Sequence, residues 1–333
     1  MFIYVVRRVG MLIPILFGVL ALTFFLMQAI PGSPVDRMVG QAATDEERMR
    51  LTQSLGLDKP LYVQFGKYVN NLAHADLGRS FGDKQEIGPE MISRLPNTIR
   101  LATFAMVIAG GLGILAGVIS AVWVRRWPDQ LVRVLSIFGL STPVFWFGLM
   151  LVLVFARWLQ WLPPSGDGGG TFTLLFFPGY KPSLGFPYLD FRGYLYLLLP
   201  ALTLGLRPAA FIGRIMRSQM LEVLSMDFIR TARAKGLSEW PIVVRHAMSN
   251  AMIPVVTMIG VDIGALLAGS VITETVFSYR GLGSYTLEGI KNREYTIVMG
   301  TVLLTSILFV VANLLVDVVC GWLDPRLRVT EAS

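Results

Sequence analysis

The chain has 333 residues, 54% of them hydrophobic and only 15% charged, with a net charge of +7 and a mean hydropathy of +0.60. So few charges cannot keep that much apolar surface in water, which excludes a soluble domain as the main body of the protein. The lone cysteine, Cys320, excludes an intrachain disulfide framework, and basic residues that flank apolar runs argue against a nucleic-acid partner.

A hydrocarbon layer of about 30 Å is crossed by about 20 apolar residues in a helix. Six stretches meet that length: Val9–Ile30, Thr98–Val122, Val132–Arg157, Tyr194–Met216, Met252–Thr273 and Thr296–Val319. Pro14, Gly110, Gly111, Gly113, Gly117, Pro143 and Pro200 fall inside them, as membrane helices tolerate. The alternating strands of an outer-membrane barrel are absent from the pattern, so the expectation is an all-α integral membrane protein. Arg7 and Arg8 before the first stretch also fit a signal peptide. Its apolar core is too long for one, however, and Met27-Gln28-Ala29 is a poor cleavage site, so a retained helix is expected.

The first connection, Pro31 to Pro96, is too long for a bare loop. Thr44-Asp45-Glu46-Glu47 reads as a capping box opening a helix that Gly56 ends, and a second helix is expected from Pro60 to about Ala73. The second connection carries Arg125, Arg126 and Arg133 against Asp129. The third, with Pro163, Pro164, Gly166 and Gly168–Gly170, reads as an irregular loop. The fourth carries Arg207, Arg214, Arg217, Arg230, Arg233, Lys235 and Arg245 against Glu222, Asp227 and Glu239. With positive residues inside, both termini and the second and fourth connections are cytoplasmic. The chain then divides into residues 1–30 (N-terminus and first helix), 31–96 (outer helical segment), 97–320 (transmembrane domain) and 321–333 (cytoplasmic tail). The transmembrane domain includes an outer loop, 158–193, and a cytoplasmic loop, 217–250.

The most informative stretch is Asp227-Phe228-Ile229-Arg230-Thr231-Ala232-Arg233-Ala234-Lys235-Gly236-Leu237-Ser238, a charged helix ending in glycine. Thr231 and Ala232 offer small side chains to a partner's groove, and Gly236 can take the left-handed turn that ends a helix. A short helix held between two membrane helices would transmit a rigid-body push. No phosphate-binding loop is present, since Gly66-Lys67 is followed by Tyr68. His74, His246 and Cys320 give no metal-ligand cluster.

Arg230-Thr231-Ala232 and Gly236 fall at the Glu-Ala-Ala, three residues, Gly spacing of the permease family of ABC importers. The fuller run resembles its peptide and nickel branch, where Ile-Arg-Thr-Ala-Arg-Ala-Lys-Gly-Leu is typical. The likeness extends to Leu55–Pro60, Asp76–Ser80, Arg94-Leu95-Pro96-Asn97-Thr98, Ser218–Leu224, Gly281-Leu282-Gly283, Asn313–Asp317 and Asp324–Arg328. It is strongest to the dipeptide permeases. Ser33, Ala75 and Arg280 depart from the usual Asp, Gly and Pro, all on the outward side.

The resemblance implies the type I ABC importer permease fold in the bacterial inner membrane, with about six transmembrane helices and a folded periplasmic segment. It implies a second homologous permease subunit, two ABC ATPase subunits and a periplasmic solute-binding protein. ATP and Mg would be used by those ATPases, with no catalytic residue and no cofactor in this chain. The cargo would be a dipeptide or short peptide, with oligopeptides, nickel, glutathione and haem as alternatives within the family. Asp227, Arg230, Thr231, Ala232, Arg233, Ala234, Lys235, Gly236 and Leu237 would form the ATPase-coupling loop.

Asp262 lies in the fifth apolar stretch, where an acid should face a water-filled path or a partner group. It either lines the path and meets a peptide's amino group or contacts another helix or chain. As a protonatable site it also leaves open a proton-coupled carrier. Ser141-Thr142-Pro143 interrupts the third stretch, either to line a cavity or as a packing kink. Gly260, Gly264 and Ala268 form a small-residue stripe suited to packing, as do Gly113 and Gly117. Asn313 and Asp317 share a face of the last helix, where structural roles are expected.

Overall fold

The structure, a computed structural model, describes residues 2–29, 35, 44–74, 76–80, 82, 84–166 and 191–323. Its helices are α1 (Phe2–Ala29), α2 (Asp45–Leu55), α3 (Leu61–Ala73), α4 (Ile87–Val122), α5 (Trp127–Ser141) and α6 (Val144–Leu151), the last running into a π-helical turn at Val152–Trp158. There follow α7 (Phe191–Leu224), α8 (Asp227–Ala234), a π-helical turn at Ile242–Ala247, α9 (Met248–Gly269), α10 (Val271–Val276), α11 (Leu282–Asn292) and α12 (Tyr295–Leu323). Among the described residues the extended structure is one isolated bridge, Arg79 to Glu86.

Ile87–Val122, Tyr194–Leu224, Glu239–Ala268 and Tyr295–Val316 are each long and apolar enough to cross a membrane. α5 and α6 would supply a fifth crossing only as a pair, bent by 113° at Ser141-Thr142-Pro143. The first expected span is α1, whose apolar part is Pro14–Ala29. The expected capping box is present: Glu47 N–H donates to Thr44 Oγ1 and Thr44 N–H to Glu47 Oε2. Gly56, at φ +73°, ends α2, and Pro60 stands at the N-cap of α3.

Two boundaries differ from expectation. α4 begins at Ile87 rather than Thr98, because Ile87 and Met91 are buried and extend its apolar face through Pro96. α7 continues past Met216 to Leu224, so Arg207, Arg214 and Arg217 belong to a helix and not to the fourth connection, which shrinks to about Ser225–Ser238. The buried Met216, Met220 and Val223 carry its apolar side through the charged region. Most of the outer loop 158–193 lies outside the described residues, as does the expected tail 321–333 beyond residue 323, its first three residues belonging to α12.

The chain separates into two compact units. One comprises Phe2–Thr98 and Arg280–Leu308. In it Phe24 and Met27 pack with Phe65, Tyr68, Tyr295 and Val298, while Ile87 and Met91 pack with Leu282, Tyr285 and Ile297. The Arg94–Thr98 stretch holds the start of α11. Arg94 lies over the Tyr285 ring at 4.4 Å and bonds Glu90 at 2.6 Å; Asn97 donates to the Arg280 carbonyl at 2.8 Å. The Leu282 amide donates to the buried Thr98 hydroxyl oxygen at 2.8 Å, a helix cap supplied from far along the chain. Thr98→Ala is therefore expected to speed amide hydrogen exchange in the first turn of α11 and to lower stability by about 1 kcal/mol.

The other unit comprises Ile99–Tyr279 and the chain from Phe309 on, with α7 at its centre. α5, α6, α9 and α10 all pack on α7. α4 does so through glycine: a Cβ at Gly113 would stand 2.7 Å from the Ala209 carbonyl oxygen, and one at Gly117 2.6 Å from Met216 Cβ. The expected close packing of Gly113 and Gly117 thus sets the α4 backbone directly against carbonyl oxygens and side-chain roots of α7. Asp129, wholly buried, ties three helices together. It accepts from Arg217 Nε at 2.8 Å and Nη2 at 3.1 Å, from Ser120 Oγ at 2.6 Å and from the Arg125 amide at 2.8 Å.

Candidate functional site

α8 is built from both ends. The Ser225 and Met226 amides bond back to Glu222 and Val223 at 3.1 Å each, turning the chain out of α7. Asp227 then places an acid in the first turn, where it complements the helix dipole. At the other end the Gly236 amide bonds the Arg233 carbonyl at 2.9 Å and the Leu237 amide bonds the Ala232 carbonyl at 3.3 Å, with Gly236 at φ +78°. This pair of bonds is a Schellman termination, which favours glycine at the left-handed position.

One face of α8, Ile229 and Ala232, is buried in the same apolar cluster as Val223, Ile242, Val243 and Ala247. That corrects one expectation. Ala232 turns into its own unit because it is one turn from Ile229, so it cannot open the backbone to a partner. Asp227, Arg230, Thr231, Arg233, Ala234, Lys235, Gly236 and Leu237 are all exposed. Arg233 forks onto Glu239 at 2.8 and 3.1 Å, and those bonds hold its guanidinium above its ordinary pKa. Arg230 reaches Asp227 at 3.3 Å, and the Thr231 hydroxyl donates to the Asp227 carbonyl at 3.0 Å. Around these polar groups Met226, Phe228, Leu237 and Trp240 stand exposed, Trp240 at 76%. The arrangement is a cationic projection with an apolar collar.

The path residues lie on other elements. Asp262 is on α9, half-buried, with Oδ2 removed from solvent and without a hydrogen bond among the described residues. Gly260 and Gly264 turn toward α12, where Val316, Phe309 and Asn313 meet them, while Ala268 is exposed and falls off the stripe. At about 100° per residue, Asp262 points away from the α12 side, beside exposed Val261 and Ala265. Asp262→Asn is expected to lower transport more than assembly, read as uptake against recovery of the purified complex.

Ser141 and Pro143 are exposed, and the Thr142 hydroxyl is taken by the Phe138 carbonyl at 2.7 Å. The 113° bend makes this a break between two helices rather than a kink within one. The Asp317 side chain lies outside the described residues. No group of three or more His, Cys, Asp or Glu side chains is placed to hold a metal among the described residues.

Comparison with known proteins adds kinship to this geometry. Residues 113–329 match the family described as binding-protein-dependent transport system inner membrane component, and residues 1–102 match its N-terminal companion. The chain is 42% identical to the di/tripeptide transport system permease protein DppB of Pseudomonas aeruginosa, over 98% of each. It is 38% identical to the dipeptide transport system permease protein DppB of Escherichia coli K12, again over 98% of each. It is also 38% identical to the glutathione transport system permease protein GsiC of Escherichia coli O6:H1, over 98% of each. Among solved structures, a chain of the inward-facing MetNI methionine ABC transporter superposes with a TM-score of 0.52 at 14% identity, covering 70% of this chain and 96% of that one. That likeness is one of fold.

Proposed function

We propose that this chain, which belongs to the family of binding-protein-dependent transport system inner membrane components, is the membrane-spanning permease subunit of an ATP-driven ABC importer for dipeptides or similarly short peptides. The observation that carries this reading is alignment from end to end, over 98% of the chain, with di/tripeptide and dipeptide permeases. The long apolar helices fit a multi-pass protein of the inner membrane. Both termini, the second connection and α8 face the cytoplasm, in keeping with the basic residues there.

In this reading the chain is half of a translocation path completed by a second, related permease. Two ATPase subunits bind and hydrolyse Mg-ATP, and a periplasmic binding protein delivers the peptide to the outward segments. α8 seats in a groove of an ATPase subunit. Exposed Arg230, Thr231, Arg233 and Lys235 make the contact, with the collar of Phe228 and Leu237 around it. When ATP draws the ATPases together, α8 moves as one piece with the end of α7, because Ile229 and Ala232 are rooted in the core beneath it. The peptide is moved and not chemically altered.

The test is uptake of a labelled dipeptide by cells lacking this chain, with and without the gene restored, under ATP depletion and under an uncoupler. Uptake should return with the gene and follow ATP. Dependence on the proton gradient without an ATPase partner would instead make the chain a proton-coupled carrier using Asp262. Unchanged uptake would remove dipeptides as the cargo. Glutathione would then be tried first, because a glutathione permease aligns over the same length, followed by oligopeptides, nickel and haem.

A further inference from the structure

α7 is the most enclosed helix of its unit, yet one line of it is open. α4 meets it at Gly205 and Gly213, α5 at Leu206 and Ala210, α6 at Thr203, and α9 packs along it. In its inner half the residues left exposed at helical spacing are Arg207, Arg214, Ser218 and Glu222, with half-buried Phe211 among them. These positions recur every three to four residues and therefore form a single stripe. The Arg214 guanidinium lies 5.7 Å from the centre of the Phe211 ring. No ion pair among the described residues holds the Arg207 guanidinium.

Every 18-residue window of Tyr194–Leu224 contains Arg207, so it lies in the spanning part of the helix wherever the bilayer sits. An arginine within a span does not leave its guanidinium in hydrocarbon; it faces water, an anion or a buried acid, or reaches the interface. Two cations about 10 Å apart along one stripe, with a hydroxyl beyond them and the acid Glu222 only at the helix's end, give an anion two successive stations. A single contact with a second chain would need only one. The planar guanidinium matches a carboxylate with two parallel hydrogen bonds, and a peptide carries a carboxylate at its C-terminus.

We propose that Arg207 lines the translocation path and binds the carboxylate of the passing peptide, with Arg214 as the next station inward. The proposal rests on the peptide-importer reading. It complements Asp262 on neighbouring α9, which suits the peptide's ammonium group, so the two ends of a zwitterionic cargo meet opposite charges.

The experiment uses the whole complex in proteoliposomes, with Cys320→Ser as the parent and Arg207→Cys introduced into it. Two water-soluble methanethiosulfonates then attach either an aminoethyl or a sulfonatoethyl group to residue 207. Arg207→Cys is expected to assemble, to react with both reagents, and to take up dipeptide about tenfold or more slowly, the loss of one charge-assisted hydrogen bond. The ammonium adduct should restore most of the uptake and the sulfonate adduct none. Dipeptide with binding protein and ATP should slow the labelling. A thiol inert to both reagents, equal uptake with either adduct, or labelling indifferent to dipeptide would each overturn the proposal. Failure of Arg207→Cys and Arg207→Lys alike to assemble would do so as well, assigning Arg207 to the second permease chain. A parent complex that assembles and hydrolyses ATP but carries no dipeptide overturns the importer reading and the carboxylate with it, while labelling still decides whether Arg207 lines an aqueous path.

Discussion

Replacing Gly236 with leucine is expected to leave the chain inserted and assembled while cutting ATP-driven uptake about tenfold or more. Gly236 sits at φ +78°, where an L-residue is strained by roughly 1–2 kcal/mol. Among the described residues nothing but its chain neighbours lies within 4 Å of where a Cβ would stand, so the added side chain starts in open space on the outer face of α8. Two controls separate the contributions. Gly236→Asn, which tolerates the left-handed turn, should retain most of the uptake; Gly236→Ala should lose only what backbone strain removes. The measurement is peptide-stimulated ATP hydrolysis and uptake by the same purified complex. Stimulation at the parental level in Gly236→Leu would remove α8 as the coupling element.

The second large effect is expected at Asp129. Asp129→Ala leaves the partly buried Arg217 without its two-point partner and the Arg125 amide without its acceptor. Arg125 is itself held at φ +62°, a left-handed conformation that its bond to Asp129 helps to maintain. Breaking a buried pair by removing one member costs about 3–5 kcal/mol, and the partial exposure of Arg217 places this case toward the lower end. The variant should therefore unfold at lower temperature in detergent and be recovered in smaller amount. Asp129→Leu combined with Arg217→Met should lose less than Asp129→Leu alone, because no stranded charge remains. Equal losses would make the ion pair a bystander.

The sequence exposed the fold wherever a rule is local. Apolar runs marked α1, α4, α7, α9 and α12, and Thr44, Glu47 and Gly56 marked both ends of α2, because capping acts within a turn. α8 was legible for the same reason, its terminating glycine and charge lying in one short stretch. α11 was not. Its first turn is capped by Thr98 from the far side of the sequence, and the Gly281-Leu282-Gly283 that opens it enters the sequence reading only as part of a family likeness.

Residues 217–224 of α7 read as loop, and Arg207 and Arg214 count with it, because arginine counts as a loop residue when charge is used to orient a membrane protein. The continuing apolar positions Ile212, Met216, Met220 and Val223 were the signal that would have corrected this. Asp129 was visible only as a counter-charge, since nothing local points to a partner on another helix. The inward turn of Ala232 follows from its spacing to Ile229, but only once Ile229 is known to be buried.

The glycine contact between α4 and α7 has a mechanical consequence. With Gly113 and Gly117 seated against the carbonyl oxygens of Ala209 and Gly213 and the inner atoms of the Ile212 and Met216 side chains, α4 adds no side chain of its own at these two positions to compress. α8 grows from the end of α7 and is rooted in the same packed cluster. A displacement imposed at α8 would therefore meet a closely fitted joint, with little slack between α7 and α4 to absorb it.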